Sequence, residues 1–328
     1  MLATNRMPRW VLAELRHLLR SNLKFKHLQL LVAISDRLHI GRVAEHLSLS
    51  QPAVSKALAE LESLVGGQLF DRTSSGLIVT PEGKVFVEYA REALARVSRL
   101  GDDLETAKLG HAGTIHVGSV TAASRLVPLT IELLKQRSPH TTVHLDEGLM
   151  EPLIEGLRLG ELDLVIVRVD TIPDPSGLAL ESVYQDAIVL VTKPGSPVLS
   201  ERKLTWSALA KYPWVLPPPD SSSRRRYDEA LRQHGLGPPE DLVETGAVLA
   251  MLTLTRERAG ICAMSETLAR YFQRLQVLEM LPLPPLTLGS SVGIAHLEGR
   301  RQRPAALLFS ECFKQAVQTE LPDRLVIP

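Results

Sequence analysis

Gln51 and Ser55 stand about one helical turn apart at the front of the stretch SLSQPAVSKALAELE, residues 48–62. An amide side chain can bond an adenine edge at two points, and a hydroxyl can donate or accept. Lys56, Arg42 and Arg72 carry charge suited to phosphates. The chemistry this points to is recognition through hydrogen bonds and ion pairs. Bond-making chemistry has no comparable signal: no Gly-rich phosphate loop, nucleophile elbow, metal quartet or paired-acid motif occurs, and the ten His are scattered. No catalytic residue, metal site or cofactor is therefore assigned. The two cysteines, Cys262 and Cys312, lie far apart with no partner at ligand spacing. Cys262, in GICAM, reads as a small buried hydrophobe, and sparse cysteine fits a reducing cytoplasm.

Three short helices are needed to hold Gln51 and Ser55 in place. LQLLVAISDRL forms the first, IGRVAEHLSL the second, and SQPAVSKALAELESLVGG the third. Ser50 is a natural N-cap, and Pro52 falls in the first turn, where a missing N–H costs nothing. Gly66 or Gly67 can take the left-handed position that ends the helix. Val43, Ala44, Leu47, Leu49, Val54, Leu58 and Leu61 are expected to close a small core. QLFDRTSSGLIVTPEG then alternates apolar and polar residues around a turn near Ser75 and Gly76, as a hairpin does. A helix of this kind entering the major groove presents its first turns to base edges and phosphates.

From residue 82 to 109 the chain lacks Pro, and Phe86, Ala90, Ala93, Val97, Leu100 and Leu104 repeat at steps of four and three. That seam predicts a long helix pairing with a second copy; a helix packed on its own domain is the alternative. Beyond Gly113, short apolar strands alternate with helices: TIHVG, TVHL, DLVIV, AIVLV, WVL, LVE, GICA and SVGIA. The pattern is α/β with mostly parallel strands, and the long excursion between AIVLV and SVGIA implies two halves joined by crossing strands, with a ligand cleft between them.

The run AEHLSLSQPAVSKALAELESLVGGQLFDRTSSGLIVTPEG resembles the winged helix–turn–helix of the LysR-type transcriptional regulators. The likeness runs through Ala44, Leu47, Ser50, Gln51, Pro52, Ala53, Ser55, Leu61, Glu62, Gly66, Leu69, Phe70, Arg72, Thr80, Pro81 and Gly83. WVLPPPDSS and the length of the remainder suggest the branch similar to the galactose-binding-protein regulator. The resemblance covers nearly the whole chain beyond Leu23 and implies a DNA-binding domain over 23–81, a dimerising helix over 82–110 and an effector domain over 111–328, preceded by an amphipathic extension over 1–22. That effector domain would comprise two Rossmann-like lobes resembling type II periplasmic binding proteins, lobe I about 111–185 and 290–328 and lobe II about 186–289. It also implies a cytoplasmic protein forming dimers and tetramers, binding double-stranded promoter DNA, contacting RNA polymerase, and responding to a small metabolite.

Under that resemblance Arg42, Ser50, Gln51, Pro52, Ser55, Lys56, Arg72 and Thr73 face DNA. Ser119, Val120, Thr121 and Ala122, in GSVTAAS, open a helix whose amides and hydroxyls make an anion-friendly nest, or serve only as a cap. Arg168 either clamps a carboxylate or is a solvated surface residue. Ser221 and Ser222 offer a second cradle, and Thr245, Gly246 and Ala247 a further wall. The triple Arg at 224–226 reads as a solvated or intersubunit face. Three departures from the family pattern stand out, the first being the extension before Leu23. Gly148-Leu149-Met150 replaces a polar residue, so the pocket is expected to be more apolar there and to suit an amphipathic or aromatic carboxylate or sulfonate better than a sugar or a small dicarboxylate. His39-Ile40-Gly41 removes a hydroxyl that would cap the second helix or touch phosphate.

The 328-residue chain has balanced formal charge, but residues 1–80 hold ten Lys/Arg against six Asp/Glu, a basic front on an acidic body. No apolar run reaches the roughly 20 residues a membrane span requires. The N-terminal stretch, with Trp10, Leu15, Leu18 and Leu19 at helical spacing, reads as a helix docked on its own domain or on its partner, with membrane binding the lesser alternative.

Overall fold

A computed structural model describes residues 22–73, 76–109, 113–201, 204–219, 221–235 and 237–326. The expected N-terminal extension helix lies outside the described residues. The chain divides into two compact units at Gly101–Asp102. Among the described residues no helix is long and apolar enough to cross a membrane.

The first unit contains α1 (Phe25–Arg37), α2 (Ile40–His46), α3 (Gln51–Val65), a hairpin of β1 (Phe70–Thr73) and β2 (Gly76–Val79), and the first part of α4 (Pro81–Leu109). Its core joins Leu30, Leu31 and Ile34 of α1 to Val43 and Ala44 of α2 and Val54, Leu58 and Leu61 of α3. Leu49 is a correction: it is 49% exposed, because the turn between α2 and α3 carries it outward. Ser48 occupies the left-handed region at φ 54° in that turn. Short polar contacts set the remaining joints. Glu62 accepts from Leu69 N at 2.9 Å and Phe70 N at 3.2 Å, so a carboxylate on α3 anchors the start of β1. Thr80 Oγ1 accepts from Gly83 N at 3.0 Å and donates to Gln68 O at 2.9 Å, capping α4. Leu77 N donates to Leu38 O at 2.8 Å, which holds the hairpin against the end of α1.

α4 spans 29 residues. Its front half belongs to this core: Ala90 is fully buried and Phe86 packs alongside. These two proposed seam residues are therefore occupied within their own domain. Ala93 is half-buried, whereas Val97, Leu100 and Leu104 are 48%, 53% and 52% exposed.

The second unit is built on a nine-stranded sheet ordered β4-β3-β5-β11-β6-β9-β7-β8, with β10 pairing β6. The strands are β3 (Thr114–Val120), β4 (Thr142–Gly148), β5 (Leu164–Arg168), β6 (Leu178–Thr192), β7 (Trp214–Leu216), β8 (Leu242–Glu244), β9 (Ile261–Ser265), β10 (Glu279–Met280) and β11 (Thr287–Leu297). β3 pairs in parallel with β4 and β5, and β7 with β8 and β9. β6 and β11 run antiparallel to each other and to their other neighbours, so the sheet is mixed rather than mostly parallel. The reason is topological: a chain that crosses to a second lobe and returns must run both ways at the crossing.

β5, β7 and β9 are covered on both faces, which explains their continuous apolar runs, whereas β4 and β8 are largely exposed or half-buried. In lobe I, α5 (Leu126–Arg137) and α11 (Pro304–Glu320) pack one face, with Leu126, Leu134, Phe309 and Phe313 against Ile115 and Ile166. α6 (Met150–Leu159) packs the other, through Leu153 and Leu157. In lobe II, α7 (Trp206–Leu209) and α8 (Ser222–Gln233) cover Trp214 and Ile261, while α9 (Val248–Glu257) and α10 (Glu266–Arg274) cover Val191 and Val215. Cys262 and Cys312 are both fully buried, in different cores, and burial pushes the Cys262 thiol up to about 12.

Candidate functional site

The front of α3 is built as its residue types suggest. Ser50 Oγ accepts from Ala53 N at 3.3 Å, and Pro52 sits in the first turn. Gln51 and Pro52 are exposed and Ser55 is half-buried. Arg42, Arg72 and Thr73 are exposed, and Thr73 Oγ1 donates to Gly76 O at 3.1 Å across the hairpin end. Lys56 is 80% exposed and lies 4.0 Å from Glu60. The missing hydroxyl ahead of α2 is replaced: His39 Nδ1 accepts from Gly41 N at 3.1 Å, so the imidazole caps the helix. Gly41 is buried, and a Cβ there would lie 3.1 Å from Gln51 Nε2. The glycine thus makes room for the glutamine amide, a link between two helices that the local sequence does not show.

In the second unit a cleft with a cavity volume of about 100 Å³ opens between the lobes. Eight of the residues singled out from sequence line it: Val120, Thr121, Ala122, Leu149, Met150, Arg168, Ser221 and Gly246. Met251, Met264 and Ile188 add to the apolar wall expected from Leu149 and Met150. Ser119, Thr245 and Ala247 stand apart from the lining. Ser119 is buried and donates to Val120 O at 3.2 Å, and Thr245 Oγ1 accepts from Ala247 N at 3.2 Å. Ser222 opens α8, and its side chain lies outside the described residues.

Roles within the cleft change on inspection of partners. Ser221 Oγ accepts from Arg224 N at 3.2 Å and donates to Pro218 O at 2.7 Å, which makes it the cap of α8. Arg168 is neither free to clamp nor solvated. Its Nη2 lies 2.9 Å from Asp186 Oδ2, its Nη1 donates to Asp186 O at 3.1 Å and also to Ser290 Oγ. Asp186 is itself fully enclosed and accepts from Thr267 N at 3.2 Å and Thr267 Oγ1 at 2.9 Å.

The triple Arg is a further correction, since its three members point to three places. Arg224 is buried and pairs with Asp228 at 2.8 Å and Glu244 at 2.6 Å. Arg225, on lobe II, reaches Glu151 of lobe I at 3.8 Å. Arg226 lines the cleft, half-buried, and donates to Ser290 Oγ at 3.3 Å. Burial, and Arg168 beside it, lower the pKa of Arg226. Helical spacing could have found it: Arg226 stands four residues before Ala230, on the same inward stripe as Tyr227 and Leu231.

Residues 25–84 match the family described as bacterial regulatory helix-turn-helix protein, lysR family, and residues 108–318 match the LysR substrate binding domain. The chain is 28% identical to the HTH-type transcriptional regulator GbpR of Azospirillum brasilense, over 94% of this chain and 91% of that one. It is 30% identical to the HTH-type transcriptional regulator GalR of Pseudomonas putida, over 89% of this chain and 74% of that one. Its fold matches full-length CbnR in complex with target DNA, with TM-score 0.63 at 20% identity, covering 90% of this chain and all (100%) of that one. The two matched domains together span most of the chain, which belongs to the LysR family of DNA-binding transcriptional regulators, with a helix–turn–helix domain followed by an effector-binding domain.

Proposed function

We propose that this regulator reads promoter DNA sequence-specifically and responds to a small anionic or amphipathic metabolite held in the interlobe cleft. Gln51 and Ser55 meet base edges; Arg42, Ser50, Lys56, Arg72 and Thr73 meet phosphates and sugars; Pro52 sets the approach of the helix. Val97, Leu100 and Leu104 join a second copy, and dimers associate further to a tetramer that contacts RNA polymerase at the promoter. Ligand occupancy changes DNA bending or the geometry of that assembly. The observation that carries this reading is a cavity whose walls come from both lobes, with Thr121 and Arg168 on one side and Ser221 and Arg226 on the other. A ligand touching both walls favours one interlobe angle over others, and differential affinity of that kind is what shifts a conformational equilibrium.

The test is fluorescence anisotropy with DNA taken from just upstream of the protein's own gene, at moderate salt. The expected result is specific binding whose base preference relaxes in Gln51→Ala by about 1–3 kcal/mol at one position. Equal losses on every sequence would remove Gln51 from base reading. Failure to bind any such fragment, with or without cell-extract metabolites, would refute the regulatory mechanism. Thr121→Val should weaken the effector response while leaving DNA affinity intact; an unchanged ligand titration would take Thr121 out of the site.

A further inference from the structure

Among the described residues, one guanidinium in the cleft, that of Arg226, has no carboxylate within ion-pair distance. Arg168 is balanced by Asp186 at 2.9 Å. Among the described residues Arg226 donates to the Ser290 hydroxyl at 3.3 Å, an oxygen that already accepts from Arg168. Among the described residues no carboxylate lies within 4.0 Å of Arg226; Asp170 and Glu229 favour its charge from farther away, and Arg168 opposes it. An unpaired, half-buried cation beside a second cation destabilises the protein that carries it, and such groups gather where a ligand supplies the missing charge.

The rest of the lining limits what that ligand can be. Leu149, Met150, Ile188, Met251 and Met264 present hydrocarbon and thioether surface. The carboxylate among the described lining residues is Glu151, toward which Arg225 reaches at 3.8 Å. A second anionic end on the ligand would meet that carboxylate. We propose that Arg226 is the charge-recognition residue of the cleft and that its ligand is a monocarboxylate with an apolar body. The proposal rests on the effector reading above and sharpens it: one charge, held from α8 of lobe II, with the hydrocarbon against both lobes. Because Arg226 shares Ser290 with Arg168, and Ser290 lies beside the register slip in β11, the carboxylate is felt where the strands cross between lobes.

The test uses the full chain, thermal unfolding, and three probes at constant ionic strength: hexanoate, hexanamide and adipate. Hexanoate should stabilise the wild type, with the amide and the diacid weaker by about ten- to a hundredfold in affinity, the range of one charged hydrogen bond. Arg226→Gln should bind hexanoate and hexanamide equally, and Arg226→Lys should restore part of the difference. Without ligand, Arg226→Met should melt above the wild type, since it removes an uncompensated charge. An Arg226→Gln protein that keeps wild-type hexanoate affinity overturns the proposal, as does an Arg226→Met protein that melts lower. If hexanamide or adipate stabilises the wild type as well as hexanoate, the cleft still binds a ligand but Arg226 does not select it. If none of the three shifts the wild type while the upstream DNA is still bound, the monocarboxylate class falls and the DNA-binding reading stands.

Discussion

Replacing Asp186 by Ala removes the carboxylate on which the crossing point between the lobes converges. It is fully enclosed, pairs with Arg168 at 2.9 Å and with Arg324 at 3.8 Å, and accepts two hydrogen bonds from Thr267. Arg168 is 13% exposed and Arg324 is 23% exposed, so neither can fully recover its hydration when the anion goes. Breaking a buried pair by deleting one partner costs about 3–5 kcal/mol, because the surviving charge stays in place. With a urea slope of about 3 kcal/mol per molar, the midpoint of the effector-domain transition should fall by about 1–2 M. Asp186→Asn keeps one carbonyl oxygen, enough to accept from Thr267 while its amide nitrogen faces Arg168, so it should regain only about 1 kcal/mol of the loss, the worth of the retained hydrogen bonds. Asp186→Ala combined with Arg168→Met should regain stability over Asp186→Ala alone, since the stranded cation is gone. A shift under about 0.5 kcal/mol for Asp186→Ala, or no recovery in the double variant, would refute the assignment of Arg168 as a structural partner rather than an open clamp.

Glu266 supplies a pH test. Burial opposes its ionisation, but hydrogen bonds from Arg324 and Arg270 outweigh that and hold its carboxyl below the usual range. Its contribution is therefore present above the unfolded carboxylate pKa and is lost as pH falls through the depressed folded value; urea midpoints from pH 7 down to about 3 should fall more for wild type than for Glu266→Gln. Gly83→Ala should cost at least about 2 kcal/mol, measured by chemical unfolding of the DNA-binding unit, because the new Cβ would lie 2.1 Å from the Leu69 carbonyl oxygen. Leu100→Asp should leave the thermal stability of each unit near wild type and shift sedimentation toward monomer, since Leu100 is 53% exposed on α4; an unchanged dimer would remove that stretch from the seam.

Much of the DNA-binding unit was legible because its determinants are local. The Ser50 cap closes on Ala53, three residues away, and Pro52 sits in the turn that tolerates it. The hairpin pairs Thr73 with Gly76 as the alternating pattern requires. Whether the turn leucine Leu49 faces inward, and whether the His39 imidazole caps in place of the absent hydroxyl, depend on backbone angles that composition does not report. In the effector domain β5, β7 and β9 were readable because double-sided burial makes them continuously apolar. The return direction of β6 and β11 was not, because an apolar strand has the same composition in either direction.

The helix–turn–helix with its capped, polar front, the long helix that follows, and an α/β domain in two halves are all written in the residue order. Those features depend on hydrogen bonds and hydrophobic periods spanning a few residues. Only the tertiary structure decided which arginine carries open charge in the cleft. Arg168 meets Asp186 at a separation of 18 residues and Ser290 at 122, while Arg226 meets Ser290 at 64. Which cation finds a carboxylate is fixed by strand order and register, and a guanidinium in a string of letters looks the same whether its counter-charge lies beside it or has yet to arrive.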